Sequence, residues 1–288
     1  MIGVISFKEN IVSKLGESLP VTNVYDLVDR GFPKLDGLFI DWIDQSIMPD
    51  EYAMQAAVIE KYVRTKIPVV IFDGELAMTK REYDWLKKFK VFFFEPALQN
   101  RREFGYLPHW LDNINFDIER EEERPFALAY STINLEDKLK SFEKYYRKYA
   151  QLFPDKKVLY QAEKLSKVKH QQYERDNMVN QAIIDWEEVD FTILIDSKRN
   201  YEIGHLNPWT FYIMENGCVP ILPLEHRFFG NMFHKLTVEN VEDVDWIIRG
   251  LAKVKWTLLD DIYNNVKTLY PEFLIDNVAE VIKNCLVR

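Results

Sequence analysis

Residues 191–223, FTILIDSKRNYEIGHLNPWTFYIMENGCVPILP, are the stretch whose reading decides the fold. An apolar run, Phe191 to Ile195, leads into a polar loop, a helical stretch from Pro208 to Asn216, a glycine, and a second apolar run from Cys218 to Leu222. Short apolar runs of this kind read as buried strands, and a helix joining two of them is the crossover of a parallel sheet. Asn207 is a good N-cap with Pro208 at the first helical position, and Thr210 falls at the third. Gly217 supplies the left-handed residue that ends the helix. Lys198, Arg199 and His205 lie in the loop leading in. Cations beside unpaired N–H groups at a helix start predict a site for a phosphate or other anion, beyond the carboxyl ends of the strands. A capped helix with a solvated Lys-Arg pair is the plainer alternative.

Outward from this stretch the same alternation recurs. Ile2 to Phe7, Gly37 to Ile40, Pro68 to Phe72 and Lys90 to Phe94 read as strands, with helices from Asp50 to Thr65 and Thr79 to Phe89. Thr79 with Glu82 three residues on is a helix-start signal. The pattern breaks in the turn-rich residues 104–115 and the acidic run Asp117 to Glu123. It restarts with strands at Phe126 to Tyr130 and Lys157 to Tyr160, a long helix from Leu135 to Leu152, and helices over most of Val241 to Val287. The expected architecture is α/β, with two Rossmann-like domains facing a cleft. Residues 1–115 form an N-terminal domain, 116–125 an acidic linker and 126–265 a C-terminal domain. Residues 266–288 form a helix that returns to the first domain.

Composition narrows the function classes. Ten glycines in 288 residues, against roughly 20 at an average usage of about 7%, leave little material for a glycine-rich phosphate loop. Two cysteines, Cys218 and Cys285, cannot build a disulfide framework and fit a reducing compartment. No apolar run approaches a membrane span and the start is not a signal peptide, so a cytoplasmic protein is expected. A net charge of −9 disfavours general attraction to nucleic acid. The five histidines share no helical ligand spacing, and Asp243-Val244-Asp245 reads as the acidic first turn of a helix, so no metal site is expected. Tyr145-Tyr146-Arg147-Lys148-Tyr149 reads as an amphipathic surface helix, with a basic aromatic face for nucleic acid as the other reading.

Gly204-His205, five residues, then Phe211-Tyr212-Ile213-Met214-Glu215-Asn216-Gly217-Cys218-Val219-Pro220-Ile221 resembles the donor-binding signature of GT-B glycosyltransferases. The Gly-Cys-Val-Pro-Ile form is closest to group-1-like and exostosin-like members. The resemblance implies a C-terminal domain that binds a nucleotide sugar, such as a UDP-sugar, as co-substrate. It implies hexosyl transfer with no obligatory metal or other cofactor. Donor contacts then fall on Lys198, Arg199, His205, Asn207, Thr210 and Tyr212, and on Ser131 and Thr132 after the first strand of the second domain. For Ser131 and Thr132 a helix cap before Leu135 is the alternative. Two departures stand out. Tyr212 occupies the position where many retaining members carry a ribose-binding Glu, with Glu202 and Glu215 as stand-ins, and Ser6 to Asn10 replaces a glycine-rich first loop.

An inverting reaction needs a base for the acceptor hydroxyl. Carboxylates at strand ends of the first domain, Asp41, Asp44, Asp73 and Glu75, are the candidates, with Asp44 and Asp73 preferred and helix capping as the alternative. The compact size resembles small phage-encoded members, which keeps a modified DNA base open as the acceptor beside a glycan or small molecule. A non-catalytic nucleotide- or sugar-phosphate-binding module of the same fold is the rival function.

Overall fold

The computed structural model describes all residues except 7, 24–30, 100–102, 112–123, 208, 227, 234–235 and 288. The acidic run expected to be a linker lies outside the described residues, as does Pro208. The chain divides into two compact units, Met1–Asn113 with Pro271–Arg288, and Ile114–Tyr270.

Unit 1 is a parallel six-stranded sheet ordered β2-β1-β3-β4-β5-β6. Its strands are β1 (Ile2–Ile5), β2 (Val21–Asn23), β3 (Gly37–Asp41), β4 (Val69–Phe72), β5 (Val91–Glu95) and β6 (Gly105–Tyr106). The helices between them are α1 (Glu9–Gly16), α2 (Pro49–Val63) and α3 (Lys80–Leu86). Pro49 starts α2 with Asp50 and Glu51 in its first turn, and Thr79 with Glu82 forms a reciprocal capping box on α3. Side chains on successive strand residues leave opposite faces of the sheet. Leu38, Ile40, Val69 and Ile71 pack with Val58, Ile59, Tyr62, Val63 and Leu86 from α2 and α3. Phe39, Val70 and Phe72 pack with Ile11 and Leu15 of α1 and with the C-terminal helix, Ile275–Leu286. That helix buries Ile275, Val278, Ala279, Ile282 and Leu286, a spacing that places one apolar stripe on the sheet.

Unit 2 carries a second parallel sheet, ordered β12-β11-β10-β7-β8-β9. Its strands are β7 (Phe126–Asn134), β8 (Val158–Lys164), β9 (Met178–Asn180), β10 (Val189–Ile193), β11 (Val219–Pro223) and β12 (Thr237–Val238). A helix opens as α4 (Leu139–Phe142), passes through a π-helical turn (Glu143–Arg147) and continues as α5 (Lys148–Leu152). The other helices are α6 (Lys167–Arg175), α7 (Lys198–Ile203), α8 (Trp209–Glu215), α9 (Val241–Leu251) and α10 (Lys255–Leu269). Two parallel α/β sheets are the architecture the sequence predicts.

Several local expectations are corrected. The polar residues 198–203 form a helix rather than a loop, because Ser197 caps them by accepting the Asn200 N–H. Strand β7 runs on past Tyr130 through Asn134, since its pairing with β8 continues to Asn134↔Lys164. The Tyr145–Tyr149 cluster is no surface face. Tyr145, Tyr146 and Tyr149 are all buried, and the Tyr146 hydroxyl bonds both the N–H and C=O of Ile193. Asp243 caps α9, accepting the N–H groups of Glu239 and Asn240. Among the described residues no helix is long and apolar enough to cross a membrane.

At the amino end of unit 2's sheet, Arg124 donates through Nη1 to the carbonyls of Trp186, Val189 and Asn216. Its guanidinium lies 5.1 Å from the Trp256 ring centroid. Gly217, left-handed at φ 76°, fits beneath both groups.

Candidate functional site

Each sheet reverses its strand order once. In unit 1, β1 lies between β2 and β3, and in unit 2, β7 lies between β8 and β10. Loops leaving the carboxyl ends of such a strand pair turn to opposite faces and open a crevice, where ligands of doubly wound sheets bind. Both switch points of this chain hold charged side chains.

In unit 2 the ladder between β7 and β10 ends at Phe191↔Leu128. Beyond it, Tyr146 takes both backbone groups of Ile193, and the chain leaves the sheet toward Asp196. Asp196 Oδ1 accepts from the Ser197 N–H at 2.7 Å and from Asn200 Nδ2 at 3.0 Å. Lys138 Nζ, from the 3-10 turn after β7, stands 3.6 Å from Oδ1, and His205 Nδ1 stands 3.8 Å from Oδ2. The Tyr201 hydroxyl accepts the Asp196 N–H at 2.7 Å, and His226 Nε2 donates to the His205 carbonyl at 3.1 Å. Asp196, His205 and His226 are all buried.

Burial by itself pushes the Asp196 carboxyl up. The neighbouring His205 ring and the Lys138 charge outweigh it and hold the group down to about 2. Burial lowers His226 below the ordinary imidazole range, favouring the neutral ring. The Asp196 shift predicts a pH dependence. The folded-state value lies below the unfolded 3.8, so the stabilisation is complete above 3.8 and is lost as pH falls from there toward 2. It amounts to about 2 kcal/mol. Urea unfolding of the Asp196→Asn variant should show less loss than the parent across that window. Superimposable profiles would remove the assignment.

In unit 1, Ser6 follows β1 and Asp41 ends β3, so the two flank the switch point. Asp41 Oδ2 accepts from Ser6 Oγ at 3.2 Å and lies 3.5 Å from Lys8 Nζ. The Lys8 ammonium sits 4.5 Å from the Trp110 ring centroid and 5.4 Å from that of Phe72. Trp110 Nε1 donates to Asn10 Oδ1, and His109 Nε2 donates to the Gly74 carbonyl. The pair therefore has an aromatic floor. The Asp41 side chain remains 15% exposed and that of Lys8 36%.

The sequence-predicted residues divide accordingly. His205 joins the Asp196 cluster. Thr210, two elements on, is fully buried, with no hydrogen-bond partner for Oγ1 among the described residues. Asn207 accepts the Trp209 N–H through Oδ1, a capping contact. Lys198 and Arg199 are exposed in the first turn of α7, with Lys198 near Glu202. Tyr212 is exposed and packs edge-on against Trp209. Ser131 and Thr132 lie inside β7, and Ser131 Oγ donates to Gln161 on β8.

Both preferred base candidates accept backbone N–H groups. Asp73 is wholly buried and its carboxylate accepts the N–H groups of Ala77 and Met78. Asp44 accepts the Ser46 N–H at 2.7 Å. Both contacts close turns ahead of the helices that follow, whose N-caps are Met48 and Thr79. Sequence reasoning missed Asp196 and Lys138. Asp196 carried the same signal as Asp41, a carboxylate directly after an apolar strand. Lys138 was hidden in a basic run. Among the described residues no group of three or more His, Cys, Asp or Glu side chains is placed to hold a metal.

No protein-family model and no curated protein matches the sequence. Solved structures do align with the chain. An O-GlcNAc transferase from Thermobaculum terrenum aligns with TM-score 0.50 and 9% identity over 98% of this chain. The chain spans 66% of that structure's length. A glycosyltransferase from Rickettsia africae aligns with TM-score 0.48 and 9% identity, covering 98% of this chain and 83% of that one. The glycotransferase of kitacinnamycin aligns with TM-score 0.39 and 10% identity, covering 96% and 81%. The first of these shows the fold, two Rossmann-like sheets of the GT-B kind.

Proposed function

We propose that the chain is a glycosyltransferase that moves a hexosyl group from a nucleotide sugar to an acceptor hydroxyl. The observation that carries this reading is the pair of charged clusters, one at each switch point, in a fold shared with a glycosyltransferase. Unit 2 binds the donor. His205 Nδ1 faces Asp196 and Lys138 brings a cation beside it, so the two can donate to a phosphate oxygen. Arg199, exposed at the start of α7, supplies a third contact.

Unit 1 supplies the base. Of the strand-end carboxylates, Asp41 combines a switch-point position with partial exposure, while Asp73 is closed off. In the inverting reaction the acceptor oxygen attacks the anomeric carbon and the bond to the diphosphate breaks. The acceptor proton passes to Asp41, and the charge left on the diphosphate is met by Lys138, His205 and Arg199.

Calorimetry with UDP and other nucleoside diphosphates, followed by turnover assays over a donor and acceptor panel, tests the reading. Arg199→Ala should weaken diphosphate binding by about 1.5–3 kcal/mol, the scale of a charge-assisted hydrogen bond. Unchanged affinity would remove Arg199 from the site. Nucleotide binding without turnover on any donor and acceptor pair would favour the non-catalytic module instead, a reading in keeping with Tyr212 in place of the ribose-binding Glu.

A further inference from the structure

Lys80 to Lys90, KREYDWLKKFK, carries five cationic residues against two acidic ones in a chain of net charge −9. Both acids are engaged within the fold. Glu82 accepts the Thr79 N–H and the Tyr52 hydroxyl, and Asp84 pairs with Lys87 at 2.7 Å. Lys80, Arg81, Lys88 and Lys90 are exposed and make no ion pair among the described residues. Lys80 and Asp84 fall on one stripe of α3 with Arg81 and Trp85 beside it, and Lys88 follows in the turn that ends the helix. These five residues, Lys80, Arg81, Asp84, Trp85 and Lys88, line an open cavity of about 540 Å³. Trp85 is half-buried and held edge-on against Phe89, with both packed on the core of unit 1. The cavity thus has a cationic rim and a fixed aromatic wall.

We propose that this face of α3 docks a single-stranded nucleic acid, with phosphates on Lys80, Arg81, Lys88 and Lys90 and a base against Trp85. Cations tracking a phosphodiester backbone beside a ring that stacks bases is the chemistry of sequence-tolerant strand binding. Charge complementarity is local, since the net negative charge of the whole chain repels a polyanion and this stretch does not. An anionic bilayer offers no bases to stack on Trp85, whereas a strand engages both the cations and the ring. The inference does not depend on the transferase reading, because strand binding is measured without donor or turnover.

The experiment is fluorescence anisotropy of a fluorescein-labelled 20-nucleotide oligothymidylate titrated with the full chain between about 50 and 200 mM salt. Four phosphate contacts predict a slope of log affinity on log salt near about −3. Lys80→Glu with Arg81→Glu and Lys88→Glu should weaken binding about a hundredfold at about 0.1 M salt, from three lost contacts. Lys167→Glu with Lys253→Glu and Lys267→Glu makes the same charge change on exposed positions of unit 2 and should leave affinity within about threefold. Circular dichroism checks that both triple variants are folded. Absence of binding at the lowest salt overturns the proposal. So does an equal loss in the two triple variants, or binding by phosphatidylserine vesicles with none by the oligonucleotide.

Discussion

Replacing Asp41 by Asn is expected to lower the transfer rate at saturating donor by about 10²–10⁴-fold, the usual contribution of a positioned general base. The substitution keeps the side-chain shape and an oxygen for the Ser6 hydroxyl, so the switch point of unit 1 stays assembled. What it removes is the proton acceptor and the charge facing Lys8. Lys8 keeps its place over the Trp110 and Phe72 rings, which limits the structural cost. Donor affinity, which the reading assigns to unit 2, should be unchanged by calorimetry. A variant that keeps its rate would strip Asp41 of the role. Loss of rate together with loss of nucleotide affinity would mean that Asp41 acts on the donor instead.

The second large effect is structural. Gly217→Ala should destabilise the protein by roughly 3–5 kcal/mol, the range for overpacking combined with a disturbed buried charge. A β-carbon at this position would meet Arg124 Nη2 at 2.5 Å and the Trp256 ring at 2.5 Å, at a backbone φ of 76° that alanine disfavours. Arg124 cannot step aside cheaply, because three carbonyls hold its Nη1. Arg124→Ala removes one of the two clashing groups, so the double variant should be less destabilised than the sum of the singles by about 1 kcal/mol or more. Urea unfolding of the four proteins measures the coupling. Strict additivity would show that the glycine answers only to its backbone angle.

The strands that face helices on both sides were legible because buried parallel strands are continuous apolar runs, as in Val69 to Phe72 and Val219 to Leu222. Short edge strands were not. Val21–Asn23 and Gly105–Tyr106 are two or three residues long and only partly buried, so they carry no apolar pattern. The helix Lys198–Ile203 was read as a loop because its residues are mostly polar and buried only at Tyr201. Its cap, Ser197, was the available signal. The GT-B-like signature points to this region of unit 2, but it does not tell which side chains turn inward. His205 does and Lys198 does not, a difference set by where the left-handed Gly204 ends α7. Asp41 and Asp73 were alike in sequence, and only the turn wrapped around Asp73 separates them.

Unit 1 has a temporal consequence. Its sheet is encoded by Tyr106, yet the helix that covers Val4, Phe39, Val70 and Phe72 begins at Ile275, after all of unit 2. During synthesis at about 5–20 residues per second, that apolar face waits on the order of ten seconds or more for its cover. Unit 2, continuous in the chain, can close its own core in the interval. The part made first is finished last, and it is the part a nascent-chain chaperone would find open.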